Sequence, residues 1–367
     1  MKTLILGRGR SGLSCEKFLK GIGVDAICLN TDASIDLNSF DQMVISPGIN
    51  PNTPLVQSFK GEIISEVEVA FRYAKNSIIG ITGTNGKSSL THKITHLLNL
   101  NGIKAHAVGN IGRPITDALC ETGILVTELS SFQLEKTSSK ALDLAIILNI
   151  TPDHLDRHLS FKNYVDAKLQ IANLLKLNAP LIVHRHIQNL APQISASHFF
   201  NEPDQALLTI ATHYSIHPAR LEKAHATYTP LPHRLEWVGS FSGIDYYNDS
   251  KATNVDSVIY ALKTLPGPIY LIAGGTHKGE SYKRWRPYLK KNLKKIYLIG
   301  EAAPLIEQDL QSLITKQCHS LDCALNLARK EATAGSKILL SPGCSSFDQF
   351  KNFEERGDLF RQLVRLY

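Results

Sequence analysis

Short apolar runs ending in glycine or a polar turn recur along the chain, and segments with helical spacing separate them. Thr3-Leu4-Ile5-Leu6, Ala26-Ile27-Cys28-Leu29 and Met43-Val44-Ile45 predict strands, with Leu13, Phe18 and Leu19 marking a helix between the first two. Ser77-Ile78-Ile79-Gly80-Ile81 predicts a buried strand, and Leu90, Ile94, Leu97 and Leu98 then fall at helical spacing. Ile124–Thr127 and Leu144–Asn149 continue the series. Further on, strands are expected at Ile244–Asp249, Ile269–Ala273, Lys295–Gly300 and Lys337–Gly343. Strands alternating with helices predict an α/β protein with parallel, doubly wound sheets. Leu177–Ala226, rich in His, Pro and Ser, has no period from which elements can be placed. Pro230-Leu231-Pro232-His233-Arg234 reads as a linker.

Length sharpens this picture. With 367 residues the chain exceeds one ordinary core, and two or three domains are expected. Three regions follow from the pattern: residues 1–75, 76–230 and 231–367. With 43% hydrophobic and 20% charged residues the composition is that of a soluble globular protein, and the apolar runs are too short to span a membrane. Met1–Gly7 has no room for a secretory apolar core before Arg8 and Arg10, so it reads as a first strand. The six cysteines are scattered without a CxxC pair, which points to neither zinc nor a disulfide framework and fits a reducing cytoplasm. The formal charge of +7 suits anionic small substrates; no nucleic-acid-reading module accompanies it. Its densest groups are Lys283-Arg284-Trp285-Arg286 and Lys290–Lys295, the latter expected on a solvated helix face.

Candidate chemistry gathers at the ends of the strands, where open α/β sheets bind ligands. Gly83-Thr84-Asn85-Gly86-Lys87-Ser88-Ser89 sits between a strand and a helix. Glycines, a helix N-terminus and a lysine make a phosphate site, and Ser88 supplies a hydroxyl for Mg²⁺. The general phosphate-loop spacing would want a glycine at Ile81; Gly80 lies one residue too early. Gly7-Arg8-Gly9-Arg10-Ser11-Gly12 is a G-x-G-x-x-G turn after the first strand, but Asn30 stands where a dinucleotide site carries an acid. It suggests a Rossmann-like phosphate-binding half-domain without proving a nicotinamide site, a tight βα turn with no ligand being the alternative. Glu128 and His154 each follow a strand and suit Mg²⁺ or Mn²⁺ near phosphates, although His154 reads equally well as a capping residue. Taken alone, Lys168 reads as a surface lysine. Arg234, Lys251 and Lys278 are placed to meet phosphate or carboxylate.

The longer motifs are specific. Thr82–Ser88, Gly109-Asn110-Ile111-Gly112, Glu128–Glu135, Leu148–Arg157, Pro232–Arg234, Asn248–Asn254 and Ser341–Phe353 together resemble the Mur ligase family, most closely its D-glutamate-adding branch. The resemblance implies three domains: a Rossmann-like N-terminal domain for a UDP-linked substrate, a central P-loop ATPase-type domain and a C-terminal Rossmann-like domain for the amino acid. It implies an ATP-dependent ligase that adds D-glutamate to UDP-N-acetylmuramoyl-L-alanine through an acyl phosphate, in the cytoplasm and as a monomer. Folylpolyglutamate-type ligases with another acceptor, or a nucleotide-binding paralogue without turnover, are the alternatives. Lys87 and the amides of Gly83, Thr84, Asn85, Gly86, Ser88 and Ser89 would hold ATP phosphates. Ser88 and Glu128 would bind a first Mg²⁺, with His154 and a carbamylated Lys168 at a second; Mn²⁺ could substitute. Arg234 and Asp249 match nucleotide contacts, and Lys251, Thr253, Lys278, Ser346 and Phe353 match the amino-acid site. Ser11, Thr31, Ser46, Gly48 and Asn110 match positions around the UDP-linked substrate, and Ser130 and Gln133 are further substrate-binding candidates. Against the family pattern the chain is short between Lys168 and Pro232, Asn30 replaces an aspartate, and Thr276 stands where an acid is usual.

Overall fold

The computed structural model describes residues 2–32, 36–289, 292–311 and 314–366. The chain divides into two compact units, residues 1–150 with 160–228, and residues 151–159 with 229–367.

The first unit holds two parallel sheets. One has the order β2-β1-β3-β4, built from β1 (Lys2–Leu6), β2 (Asp25–Leu29), β3 (Gln42–Ile45) and β4 (Glu62–Ser65). The other has the order β10-β9-β8-β5-β7-β6, from β5 (Ile78–Thr82), β6 (Ala105–Gly109), β7 (Ile124–Glu128), β8 (Leu144–Ile147), β9 (Leu181–His184) and β10 (His198–Phe200). β5 lies between β7 and β8, so its end, where the chain turns into the phosphate loop, is flanked by the ends of both neighbours. Ile78, Ile79 and Ile81 are fully buried, as a strand covered on both faces requires. A Cβ on Gly80 would come within 2.8 Å of Leu142 and 3.3 Å of Ile171. That glycine serves packing under the sheet, which explains why it sits one residue early for a phosphate contact.

Buried polar groups join the two sheets of this unit. Ser14 Oγ lies 2.6 Å from Thr116 Oγ1 and donates to Asp117 at 2.6 Å, while Thr116 donates to Glu66 through its N–H and its hydroxyl. Burial pushes the Glu66 carboxyl upward from its ordinary range. Glu68 accepts from Ser138 N, Ser139 N and Ser139 Oγ. Bonds of this kind hold firmly because leaving any partner unpaired in the interior is costly.

The unplaced stretch 177–226 contains the short strands β9 and β10 and the helices Pro203–His213 and Pro218–Thr227. Both helices carry proline in the first turn, where the missing N–H costs nothing.

The second unit has one sheet in the order β11-β12-β16-β13-β14-β15: β11 (Glu236–Phe241), β12 (Ile244–Asn248), β13 (Ile269–Gly274), β14 (Leu293–Ile299), β15 (Thr315–Gln317) and β16 (Lys337–Leu340). It is parallel except for the β11–β12 pair. One expectation fails here. The expected helix face at Lys290–Lys295 is instead the start of β14: Leu293 is buried while Lys294 is exposed, an alternation set by the sheet. Lys290 and Lys291 lie outside the described residues. Pro230–Arg234, expected as a linker, follows the boundary between the two units and contains a buried His233, whose N–H donates to Glu236 and whose ring meets Asn248 Nδ2 at 2.9 Å.

Candidate active site

In the first unit the phosphate loop is shaped by two left-handed glycines. Gly83 has φ +146° and a Cβ there would meet Leu148 Cβ at 2.6 Å; Gly86 has φ +85° and starts the helix Lys87–Leu100. No side chain caps that helix end. The loop is pinned from the end of β8, since Thr84 N donates to Asn149 O at 2.7 Å and Asn85 N to Asn149 Oδ1 at 3.1 Å. Lys87 folds back over the loop, its ammonium donating to Gly83 O at 2.9 Å and Thr84 O at 2.8 Å.

Three polar side chains meet beside it. Ser88 Oγ donates to Glu128 Oε2 at 2.5 Å, and Asn110 Nδ2 donates to Glu128 Oε1 at 3.0 Å. Glu128 ends β7 and is 2% exposed. A buried carboxylate and a hydroxyl at a phosphate loop form an oxygen donor set suited to a hard divalent cation, which binds through one or two carboxylates plus substrate phosphates. Among the described residues no cluster of three or more His, Cys, Asp or Glu is preassembled. Ser89 follows on the first turn of the same helix, half-buried.

Lys168 departs from its reading as a surface residue. It is 2% exposed, because the helix Phe161–Leu169 packs it inward. Its ammonium donates to Gly83 O at 2.7 Å and lies 4.7 Å from the centre of the Tyr164 ring. Tyr164 OH in turn lies 3.0 Å from Thr84 Oγ1.

A cavity of about 300 Å³ is lined by Arg10, Ser11, Gly109, Asn110, Gly112, Pro114 and Gln133. It joins the G-x-G-x-x-G turn of the first sheet to the end of β6 in the second. Gln133 and Ser130 are also bound to each other, each supplying one half of a capping box on the helix Ser131–Leu134. Ser46 Oγ donates to Gly7 O at 3.0 Å and steadies that turn, with Gly48 just beyond β3. Thr31 is exposed at the end of β2. Asn30 Oδ1 accepts from Arg8 N at 3.4 Å.

The second unit gathers the remaining candidates. Asp249 accepts from Ser341 Oγ at 2.9 Å and Leu235 N at 3.0 Å, and burial pushes its carboxyl up to about 7. Arg234 precedes Leu235 in the same turn. The Lys251 ammonium sits 4.2 Å from the centre of the Phe353 ring, a cation–π contact. Ser346 is buried, and its carbonyl accepts from Gln349 N and Phe350 N. Lys278 donates to Asp153 at 3.3 Å, and Asp153 also accepts from Asn254 Nδ2, one residue after Thr253. His154 follows Asp153 with a left-handed backbone at φ +53°, its N–H donating to Asp153 Oδ1.

Arg356 has no signature in the sequence. It is fully buried and donates to Ser250 Oγ and O and to the carbonyls of Cys344 and Ser345. It ties the Asn248–Asn254 motif to the Ser341–Phe353 motif. Burial among carbonyls lowers its guanidinium to about 10.

Comparison with known proteins gives the family context. Residues 81–224 match the Mur ligase middle domain and residues 233–344 the Mur ligase glutamate ligase domain. The chain is similar to the UDP-N-acetylmuramoylalanine–D-glutamate ligase of Protochlamydia amoebophila, with 36% identity over 434 aligned positions covering 100% of this chain and 98% of the relative. The ligase of the same name from Aquifex aeolicus is 32% identical, with coverage of 100% and 99%. Alignments longer than the 367 residues of this chain mean that these relatives carry segments it does not have. Among solved structures, the UDP-N-acetylmuramate–alanine ligase MurC of Thermotoga maritima superposes with TM-score 0.65 at 13% identity, covering 100% and 99% of the two chains. The MurF ligase of the same organism, in complex with ADP, gives 0.62 at 15% identity over 89% and 90%. At such identity these two comparisons establish the shared fold.

Proposed function

The chain belongs to the Mur ligase family, and we propose that it joins D-glutamate to UDP-N-acetylmuramoyl-L-alanine at the expense of ATP, a step of peptidoglycan synthesis. The observation that carries the reading is the Ser88–Glu128–Asn110 set beside the phosphate loop, bordering a cavity that reaches the G-x-G-x-x-G turn of the first sheet.

A carboxylate is a poor acyl donor and must be activated before an amine attacks it. The substrate carboxylate attacks the terminal phosphorus of ATP, the bond to ADP breaks, and an acyl phosphate results. The D-glutamate amine then adds to the acyl carbon, loses a proton and expels inorganic phosphate as the amide forms. Lys87 and the amides from Gly83 to Ser89 hold the phosphates during transfer, where positioned positive charge lowers the barrier most. The UDP-linked substrate lies along Ser11, Asn110 and Gln133, reaching Thr31, Ser46 and Gly48, with Ser130 fixing Gln133 through the helix cap.

Magnesium neutralises phosphate charge in such a reaction. Ser88 and Glu128 would hold a first ion, Lys168 as its carbamate would add oxygen donors in the same unit, His154 is a separate candidate donor, and Mn²⁺ is compatible with such donors. The carbamate forms when the neutral lysine amine adds to CO₂ and releases a proton, and neighbouring cations favour the anionic product. Arg234 and Asp249 contact the nucleotide. Lys251, Thr253, Lys278, Ser346 and Phe353 receive D-glutamate, whose carboxylates suit the two lysines. Turnover takes place in the cytoplasm, with the protein as a monomer.

The test is phosphate release with Mg²⁺, ATP and UDP-N-acetylmuramoyl-L-alanine across a panel of amino acids. D-Glutamate alone supports turnover on this reading. Equal turnover with another amino acid would move the chain to a different branch of the family. Tight ATP binding without release in any mixture would make it a paralogue without turnover.

A further inference from the structure

The loop after β13 holds more acid than the proposed reaction uses. Glu280 is 7% exposed, and its Oε2 is buried without a hydrogen-bond partner. The Val255 N–H, at the start of the helix Val255–Thr264, donates to the same carboxyl. Asp153, Asp256, Lys278, Arg284 and Tyr282 are the charged and titratable groups around it. Each cation already has its own carboxylate. Arg284 binds both oxygens of Asp256, at 3.0 and 2.5 Å, and only approaches Glu280 Oε2 at 3.9 Å. Lys278 binds Asp153. Three acids thus face two bases, and Glu280 is the one left over.

Glu280 also stands between the two halves of the amino-acid site. Lys278 is two residues before it, and the Val255 N–H to which it is bonded lies two residues after Thr253. We infer that Glu280 is a positioning residue for the amino-acid substrate, joining the Thr253 side of the site to the Lys278 side. The inference rests on the reading that Thr253 and Lys278 receive D-glutamate. Burial and the two neighbouring carboxylates push Glu280 up to about 8, so it is mostly protonated at neutral pH. Once ionised, it competes with the substrate carboxylates for Lys278. D-Glutamate carries two carboxylates, so its binding weakens as that charge appears, while ATP and the UDP-linked substrate are unaffected.

The experiment is the KM for each of the three substrates between pH about 7 and about 9, either side of the Glu280 value. In the unaltered enzyme the KM for D-glutamate rises about tenfold across this range, the effect of one added charge at a partly shielded site. Glu280→Gln keeps the acceptor for Val255 but cannot ionise. It stays within about threefold of the parent at the lower pH and loses the rise. Glu280→Ala loses the bond to Val255 and raises the KM for D-glutamate at every pH, with the other KM values unchanged. The substrate ammonium titrates identically in all variants and cancels in the comparison. A Glu280→Gln enzyme that keeps the alkaline rise overturns the inference, as does one whose KM for ATP climbs in parallel. Lys278→Ala separates the two layers: if it leaves the KM for D-glutamate unchanged, the underlying site reading fails instead.

Discussion

Lys168 and Gly83, 85 residues apart in sequence, meet in a hydrogen bond of 2.7 Å between the lysine ammonium and the glycine carbonyl, and Lys87 donates to the same oxygen. Two lysines therefore converge on the turn that shapes the phosphate loop. One belongs to the loop and the other comes from the helix Phe161–Leu169.

Lys168→Ala removes the buried amine, and with it the carbamate proposed there. Turnover is expected to fall at least about a hundredfold, as when a charged group is removed from a phosphoryl-transfer site. Formate or acetate restores part of it by supplying a carboxylate in the space left. The check is phosphate release against carboxylate concentration; a variant that no small carboxylate rescues contradicts the carbamate while leaving the structural role intact.

Gly83→Ala tests the loop geometry. At φ +146° a side chain is strained, and its Cβ would lie 2.6 Å from that of Leu148. Strain and overlap are expected to cost about 2–3 kcal/mol and to displace the carbonyl that both lysines hold. Calorimetric titration with ATP is expected to show at least about tenfold weaker binding. Unchanged affinity would mean that the loop is not read through this turn.

Asp249 gives a pH dependence with a defined sign. Its carboxyl rises from 3.8 to about 7 on folding, so the folded state holds a proton that the unfolded state has released. The penalty is absent below the lower value, grows between pH about 4 and about 7, and is complete above it. Asp249→Asn removes the penalty, and its melting temperature is expected to exceed the parent's by several degrees at alkaline pH with little difference near pH about 4. Equal curves at every pH would show that the carboxyl is not perturbed.

Arg356→Ala leaves the Ser250, Cys344 and Ser345 carbonyls without their shared donor. Loss of a fully buried, multiply bonded guanidinium is expected to cost about 3–5 kcal/mol. Arg356→Lys recovers little, because an ammonium cannot reproduce the planar fork. Thermal unfolding measures the loss. The KM for D-glutamate should rise with it in the surviving folded protein, since Arg356 holds together the two motifs proposed to receive that substrate.

The residues legible from sequence are those whose local backbone dictates them. Gly83, Gly86 and Lys87 announce a phosphate loop because the turn admits few alternatives, and the runs around Ile79, Val126 and Ile146 announce strands covered on both faces. The burial of Lys168, which only the family resemblance singled out, and of Arg356 was illegible for the opposite reason: the contacts that bury them come from segments 85 and about 106 residues away. β9, β10 and β15 are three or four residues long, too short for a period to mark them. The prolines at 203 and 218 belong to the stretch whose elements could not be placed, and each opens a helix. Lys294 and Lys295 resembled a helix face until β13 claimed the segment as a strand partner.

The central claim is that ATP activates a carboxylate of the UDP-linked substrate for attack by D-glutamate. It is tested most directly by supplying UDP-N-acetylmuramoyl-L-alanine with an ¹⁸O-labelled carboxylate and analysing the released phosphate by mass spectrometry. Transfer through an acyl phosphate carries one labelled oxygen into the phosphate, and only when ATP, Mg²⁺ and D-glutamate are all present. Phosphate released without label, or released equally when D-glutamate is omitted, would contradict it.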